Sequence, residues 1–304
     1  MPMLERIAGN RELKQDLKTA LGSGRIAHSI LLVGEPGCGA GFAARCLAAD
    51  YLYPNGGPHA EAVLRGQDTE SIVVRGEGAS GQIKVEAIRD ARQNIQKSAL
   101  SSDAEGRVLF IYGAQNLNGA SANAMLKIME EPPEGVMFLL TASSAAAVLP
   151  TIRSRCVSFA VAPVSPEQCA RYCAAQGVDK KTAALYSELF DGHIGTVLAA
   201  AQDEARTAQV EKALQLAKAA ADRDSYAAAC LLAAYEKDKA GAAALLTDFR
   251  AVAAAGLRQS PHAPVQGIAA KRALRLAEAA IQRLGAQVNP KIVLSVFAAK
   301  FRAL

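Results

Sequence analysis

Apolar residues in the first half of the chain fall into short unbroken runs separated by segments of helical period. Ile30-Leu31-Leu32-Val33, Ser71-Ile72-Val73-Val74-Arg75, Arg107-Val108-Leu109-Phe110-Ile111-Tyr112 and Val136 to Thr141 are four such runs. Their length, their β-branched content and the turn residues around them predict strands. Between them, Leu4 to Leu21 carries apolar residues at helical spacing and stops at Gly22-Ser23-Gly24. A second helix runs from Phe42 to about Leu52, Ile83 to Arg89 opens an amphipathic third, and Gly119 to Glu131 forms a fourth that Pro132-Pro133 ends. Tyr53-Pro54-Asn55-Gly56-Gly57-Pro58 reads as a turn-rich excursion, and Gly76 to Gly81 as a flexible glycine-rich stretch. Strands alternating with helices over residues 1 to about 160 predict an α/β core whose parallel sheet carries helices on both faces.

After Pro163 the strand pattern vanishes. Short helical segments from Pro166 to Ala201 predict a small subdomain closing near Gly192 and Gly195. Ala- and Leu-rich periodic segments from Gln202 onward predict a bundle, broken at Ser260-Pro261-His262-Ala263-Pro264 and at Asn289-Pro290. The expected division is therefore 1–163, 164–204 and 205–304, which suits a chain of 304 residues that is long for one core. A hydrophobic share of 51% excludes wholesale disorder. Net charge is a mild +5, but eight basic residues follow Gly256 (Arg258, Lys271, Arg272, Arg275, Arg283, Lys291, Lys300, Arg302) against the single acid Glu278. Such a stretch is either a solvated helical face or a contact for an acidic partner.

The six cysteines contain no C-x-x-C pair. Cys169 and Cys173 share a helix face without a matching second pair, so no zinc is expected, and free thiols in a reducing cytosol fit best. The first residues have no apolar signal core, and no run of 18 apolar residues occurs. The expectation is a soluble, cytoplasmic protein without a membrane partner.

Between the first strand and its following helix lies Gly34-Glu-Pro-Gly37-Cys-Gly39-Ala40-Gly41. A working phosphate loop reads G-x-x-x-x-G-K-[ST], with the ammonium on the β/γ-phosphates and the hydroxyl on Mg²⁺. Gly34 and Gly39 keep the frame, with Gly37 inside the loop, but Ala40 stands in the lysine position and Gly41 in the hydroxyl position. An ordinary glycine turn between a strand and a helix fits these residues as well. Either way the backbone N–H groups form an anion nest at a helix start. A nucleoside triphosphatase also needs an acidic pair after a second core strand, to hold Mg²⁺ and polarise water. Tyr112 and Gly113 occupy those positions. The architecture of a nucleotide site is retained and its chemistry is missing at two separate places, so no cofactor and no intrinsic ATPase are expected.

A third segment, Thr151-Ile152-Arg153-Ser154-Arg155-Cys156, follows the last predicted strand. An arginine there fits a surface salt bridge, or a guanidinium fork offered to phosphate oxygens. Ala120-Ser121-Ala122-Asn123-Ala124-Met125-Leu126-Lys127-Ile128-Met129-Glu130-Glu131-Pro132-Pro133 followed by Ser154-Arg155-Cys156 resembles the bacterial clamp-loader AAA+ family. Ile7-Ala8-Gly9-Asn10, Arg25-Ile26-Ala27-His28-Ser29 and Ile83 to Arg89 are supporting matches. Within the family the likeness is to the delta-prime type of DNA polymerase III subunit, whose members often have an inactive nucleotide site. It covers residues 1 to about 160 strongly and the remainder only in architecture.

The resemblance implies a RecA-like AAA+ core, a small helical lid and an all-α C-terminal collar. It implies that Arg155 is an arginine finger reaching the ATP site of a neighbouring gamma/tau ATPase subunit. Further implied partners are the delta subunit and, through the assembly, the sliding clamp and primer-template DNA. Asn123, Lys127 and the Glu130-to-Pro133 turn would shape intersubunit and core surfaces. An active lid carries a nucleotide-sensing arginine where this chain has Gly195, within Gly192-His193-Ile194-Gly195-Thr196. The four zinc cysteines common in the family are missing from Tyr51 to Glu70, where His59 is the one nitrogen ligand. Two other readings stay open: a gamma-like ATPase with an unconventional phosphate loop, and a stand-alone scaffold with no replication role.

Overall fold

The computed structural model describes residues 2–22, 27–78, 81–96, 101–286 and 288–304. Ser23 and Gly24 of the predicted helix stop, Arg25 and Ile26 of the segment before the first strand, and Ala79 and Ser80 of the glycine-rich stretch lie outside them. The chain divides into two compact units, Met1–Val164 and Ser165–Leu304.

The first unit runs α1 (Arg11–Gly22), β1 (Ser29–Val33), α2 (Ala40–Leu52), α3 (Pro58–Arg65), β2 (Ser71–Arg75), α4 (Val85–Ile95), β3 (Arg107–Tyr112), α5 (Gly119–Glu130), β4 (Val136–Ala142), α6 (Pro150–Arg153) and β5 (Val157–Ala160). The five strands are parallel, in the order β2-β3-β4-β1-β5. In β1, β3 and β4 nearly every residue is buried, which is why they read as continuous apolar runs rather than alternating ones. Alternate side chains serve opposite faces. Ile30, Leu32, Val108, Phe110 and Leu139 join α1, α2 and α3 in one core, while Leu31, Leu109, Ile111, Phe138 and Leu140 join α4 and α5 in another.

Three elements differ from the sequence expectation. The helix expected over Leu4–Leu21 is broken: a 3-10 turn, Met3–Arg6, precedes α1, and between them Asn10 is left-handed at φ 45°. The Asn10 amide donates to the Ala162 carbonyl and accepts from the Ala162 N–H, both at 3.0 Å, so a contact 152 residues away outcompetes local helix continuation. The excursion at Tyr53 leads into α3, which Pro58 starts at its first turn and left-handed Gly66 ends. Edge strand β5 was not expected because its side chains are largely exposed and no apolar run marks it. The described residues flanking 79–80 form a small antiparallel bridge, Glu77 with Gln82, in the stretch expected to be flexible.

The second unit is helical throughout its described residues: α7 (Pro166–Ala175), α8 (Lys180–Leu189), α9 (Ile194–Gln202), α10 (Glu204–Ala221), α11 (Ser225–Ala233), α12 (Lys239–Leu257), α13 (Gly267–Gly285) and α14 (Pro290–Ala299). Asp179, Asp203, Asp224, Asp238 and Asn289 each accept from first-turn N–H groups, satisfying donors that a helix start leaves orphaned. The centre is α12, whose Phe249 packs with Phe297 and Phe301 at ring separations of 5.4 and 6.0 Å, all three fully buried. Asp248 on the same helix is buried, and the Arg206 guanidinium grips both its oxygens at 2.6 and 2.9 Å while Gln209 donates at 2.8 Å.

By length and composition α12 is also long and apolar enough to cross a membrane, with half of it buried in the unit. Four of the eight late basic residues are used internally. Arg258 donates to the Glu188 carbonyl, Arg272 to the Ala303 carbonyl and Arg302 to Ser225, while Lys291 pairs with Glu236.

Candidate functional site

The two edges of the parallel sheet carry different groups. At the carboxyl edge, β1 runs into the loop Gly34–Gly41 and then α2. Gly34 donates to the Ala142 carbonyl at 3.0 Å, and a Cβ there would lie 2.6 Å from the Val161 carbonyl oxygen, so only glycine fits. Gly37 and Gly39 are left-handed at φ 92° and 95°, and Gly39 is the N-cap of α2, with its carbonyl accepting from Ala43 at 2.8 Å. Cys38 is buried among the core residues, and that burial pushes its thiol up to about 11. It is a protonated packing residue at neutral pH.

Ala40 and Gly41 open α2 and face the end of β3. Ala40 packs on the core, as does Tyr112. A Cβ added at Gly41 would sit 3.3 Å from Tyr112 Cε1, tighter than ordinary contact. Tyr112 stacks on Phe110 at 5.6 Å and 8°, with the Arg75 guanidinium 5.6 Å above its ring. The two positions that a triphosphatase needs for a hydroxyl and a carboxylate are thus neighbours, and the Tyr112 ring takes up the space into which a side chain at 41 would extend. A magnesium nucleotide does not fit this residue set: no ammonium stands at 40, no hydroxyl at 41 and no carboxylate at 112. Among the described residues no group of three or more His, Cys, Asp or Glu side chains could hold a metal ion.

Gly113, left-handed at φ 79°, donates to both the Thr141 carbonyl (3.1 Å) and the Thr141 hydroxyl (3.2 Å). Thr141 was missed as a site residue. Its signal was present: it is the one polar side chain in the apolar strand Val136–Ala142.

This contact predicts a specific order of effects. Ala40→Lys with Gly41→Thr restores the loop consensus but drives the threonine into the Tyr112 ring. Titration calorimetry with Mg-ATP is expected to show no magnesium-dependent binding by that double variant. Adding Tyr112→Asp removes the ring and supplies a carboxylate, and binding is expected only then. Tight binding by the double variant would show that Tyr112 does not close the site.

The other edge carries Arg155. It precedes β5, whose Val157 pairs with Ile30 near the start of β1. It therefore lies at the amino edge, roughly 15 Å of strand away from the glycine loop at about 3.3 Å per residue. Its guanidinium Nη2 is 2.6 Å from Glu130 Oε1, and Nη1 donates to the Thr151 carbonyl at 3.1 Å. Ser154 closes the same turn by donating to Thr151. Cys156 packs against the α4/α5 core, and burial pushes its thiol up to about 12. It anchors the turn rather than reacting.

Asn123 and Lys127 do not meet Arg155 in any described bond. They line a groove of about 340 Å³ between α4 and α5, together with Arg89 and Arg92. Among the described residues none of Arg89, Arg92 and Lys127 has an ion-pair partner. Arg89 and Arg92 were not singled out from sequence, although their three-residue spacing on amphipathic α4 sets them on one face. His59, the one nitrogen ligand noted in its interval, stacks on Tyr53 at 5.5 Å. Gly195 lies in the first turn of α9 in the second unit, and Cys169 and Cys173 sit there with sulfurs 4.0 Å apart.

A five-stranded parallel sheet with a glycine loop between β1 and α2, followed by a helical region, defines a RecA-like AAA+ module with an all-α C-terminal part. The model of a family described as DNA polymerase III, delta subunit, matches residues 9–165, just over half of the sequence, and the chain belongs to that clamp-loader family. The DNA polymerase III subunit gamma/tau of Mycobacterium tuberculosis is 30% identical over 182 residues, covering 57% of this chain and 31% of that protein. The DNA polymerase III subunit delta' of Haemophilus influenzae is 40% identical over 74 residues, covering 24% and 22%. The matched segments thus span a third or less of the length of these two relatives. In fold, the chain is similar to the crystal structure of a DNA polymerase III gamma subunit-related protein from Thermotoga maritima, with TM-score 0.57, 17% identity, and 94% and 98% of the two chains covered.

Proposed function

We propose that this chain is a delta-prime-type, non-hydrolysing subunit of the DNA polymerase III clamp loader. It assembles with gamma/tau ATPase subunits and the delta subunit, helps load the sliding clamp onto primer-template DNA, and gives Arg155 in trans to a neighbour's ATP site. Residues 1–163 serve as the AAA+ core, 164–204 as a lid and 205–304 as a collar, and the assembly works in the cytoplasm. The observation that carries this reading is the contact between Tyr112 and Gly41. It fills the chain's own site, while a partly exposed guanidinium stands on the opposite edge of the same sheet. A subunit built so can lose its own phosphate chemistry and still complete that of a partner. Family membership supports the setting, and the likeness to both gamma/tau and delta' relatives is consistent with it.

The test is co-purification of the full chain with the gamma/tau and delta subunits of its own organism, alongside calorimetry of the isolated chain with Mg-ATP. A stable complex and no tight magnesium-dependent binding are expected. Tight binding with slow hydrolysis would favour a gamma-like ATPase with an unconventional loop. Failure to associate would leave a scaffold outside replication.

A further inference from the structure

Arg155 is held by its own chain at two points drawn from different elements. Thr151, which accepts from Nη1, lies in α6, and Glu130, which accepts from Nη2, is the last residue of α5. The end of α5 is well fixed. The helix begins with a reciprocal cap, in which Asn118 Oδ1 accepts from Ser121 N–H and Ser121 Oγ accepts from Asn118 N–H, both at 2.9 Å. It stops at Pro132-Pro133 immediately after Glu130 and Glu131. Its length between these ends is packed through Met125, Ile128 and Met129. Glu130 therefore offers its carboxylate from a rigid support.

An arginine on an exposed turn otherwise samples many rotamers. Two anchors restrict this one, and they engage two of its five N–H donors, leaving three for an incoming ligand. The balance of charge matters as much as the aim. A buried, doubly bonded carboxylate would neutralise the guanidinium. Here one oxygen makes one contact, and the two side chains are 37% and 50% exposed. Solvent screens such a pair, so its attraction is weak against a triphosphate with several charged oxygens. The carboxylate can set direction without holding the cation back.

We propose that Glu130 is the positioning residue for Arg155: its carboxylate at the end of α5 aims the guanidinium outward, toward the phosphates of a neighbouring subunit's nucleotide. The inference rests on the arginine-finger reading above. It gives the first glutamate of the Glu130-Glu131-Pro132-Pro133 segment a part in phosphoryl transfer at a site on another chain.

The test uses the reconstituted assembly and follows ATP turnover against ATP concentration for the unmodified chain, Glu130→Ala, Glu130→Gln, Arg155→Ala and the Glu130→Ala/Arg155→Ala pair. At the site that Arg155 faces, read as a separate single-turnover phase, Glu130→Ala is expected to lower the hydrolysis rate about three- to tenfold with KM within about twofold, because aim is lost and ground-state binding is not. Glu130→Gln keeps a hydrogen-bond acceptor and is expected to recover part of the loss. In the double variant the loss should equal that of Arg155→Ala alone, since a positioning group has nothing left to position. Losses that multiply in the double variant overturn the positioning role. So does an unchanged rate of that phase in both Glu130 variants while Arg155→Ala is impaired. An Arg155→Ala assembly with normal turnover instead overturns the arginine-finger reading itself. Should Glu130→Ala fail to assemble, the isosteric Glu130→Gln carries the comparison, with a loss of about two- to threefold in the rate of that phase expected and no loss overturning the proposal.

Discussion

Arg155→Ala in the assembled complex is expected to reduce hydrolysis at the one ATP site it faces by about 10³-fold or more, the lower end of what an arginine supplied in trans contributes. Single-turnover hydrolysis with the complex in excess over ATP measures this directly, since slow sites appear as a separate phase. The effect belongs to the transition state. Charge gathers on the phosphoryl oxygens as the bond to the leaving group loosens, and a guanidinium fork meets two of them at once. Arg155→Lys is therefore expected to recover little. The substitution should not disturb the fold, because Arg155 contributes only a half-exposed ion pair and a bond to Thr151. Such surface pairs are worth at most about 1 kcal/mol. DNA-stimulated turnover unchanged in Arg155→Ala would sink the assignment.

Phe249→Ala is expected to have the largest effect on stability, about 3–5 kcal/mol against the second unit. Phe249 is fully buried and touches both Phe297 and Phe301, whose rings lie 5.2 Å apart. Removing it leaves a cavity that two rigid aromatics and the flanking α12 backbone cannot collapse to fill. For a unit of this size the loss corresponds to a fall in midpoint of roughly 10 °C. Scanning calorimetry should show the transition of the second unit shifted down and that of the first unmoved. A shift of only a degree or two would mean that the aromatic cluster is not the keystone of the bundle.

Much of the first unit was legible because β1, β3 and β4 are buried on both faces. Leu109, Phe110 and Ile111 need no partner pattern to read as a strand, and Pro132-Pro133 stops α5 by steric necessity. What the sequence concealed is what depends on distant chain. Asn10 breaks a helical pattern through its pairing with Ala162. The strand β5 exists because β1 offers it an edge, not because its own exposed residues favour one. The site divides the same way. The losses at Ala40, Gly41, Tyr112 and Gly113 could be read in order along the chain. That Tyr112 lies near Gly41 follows only from the packing of α2 across the sheet, since β4 separates β1 from β3. The pairing of Arg155 with Glu130, 25 residues earlier, likewise required the structure.

The packing of Tyr112 on Gly41 also bears on how substitutions there combine. A hydroxyl-bearing residue at 41 crowds a ring that Phe110 and Arg75 already hold, so that single step is unfavourable. A carboxylate at 112 alone would give up the stacking on Phe110 and stand beside the Arg75 guanidinium rather than a metal ion. Each of these substitutions made alone disturbs the packing at this point without completing the pattern of a phosphate loop. Positions 40, 41 and 112 are thereby coupled, and substitutions among them are expected to be non-additive rather than independent.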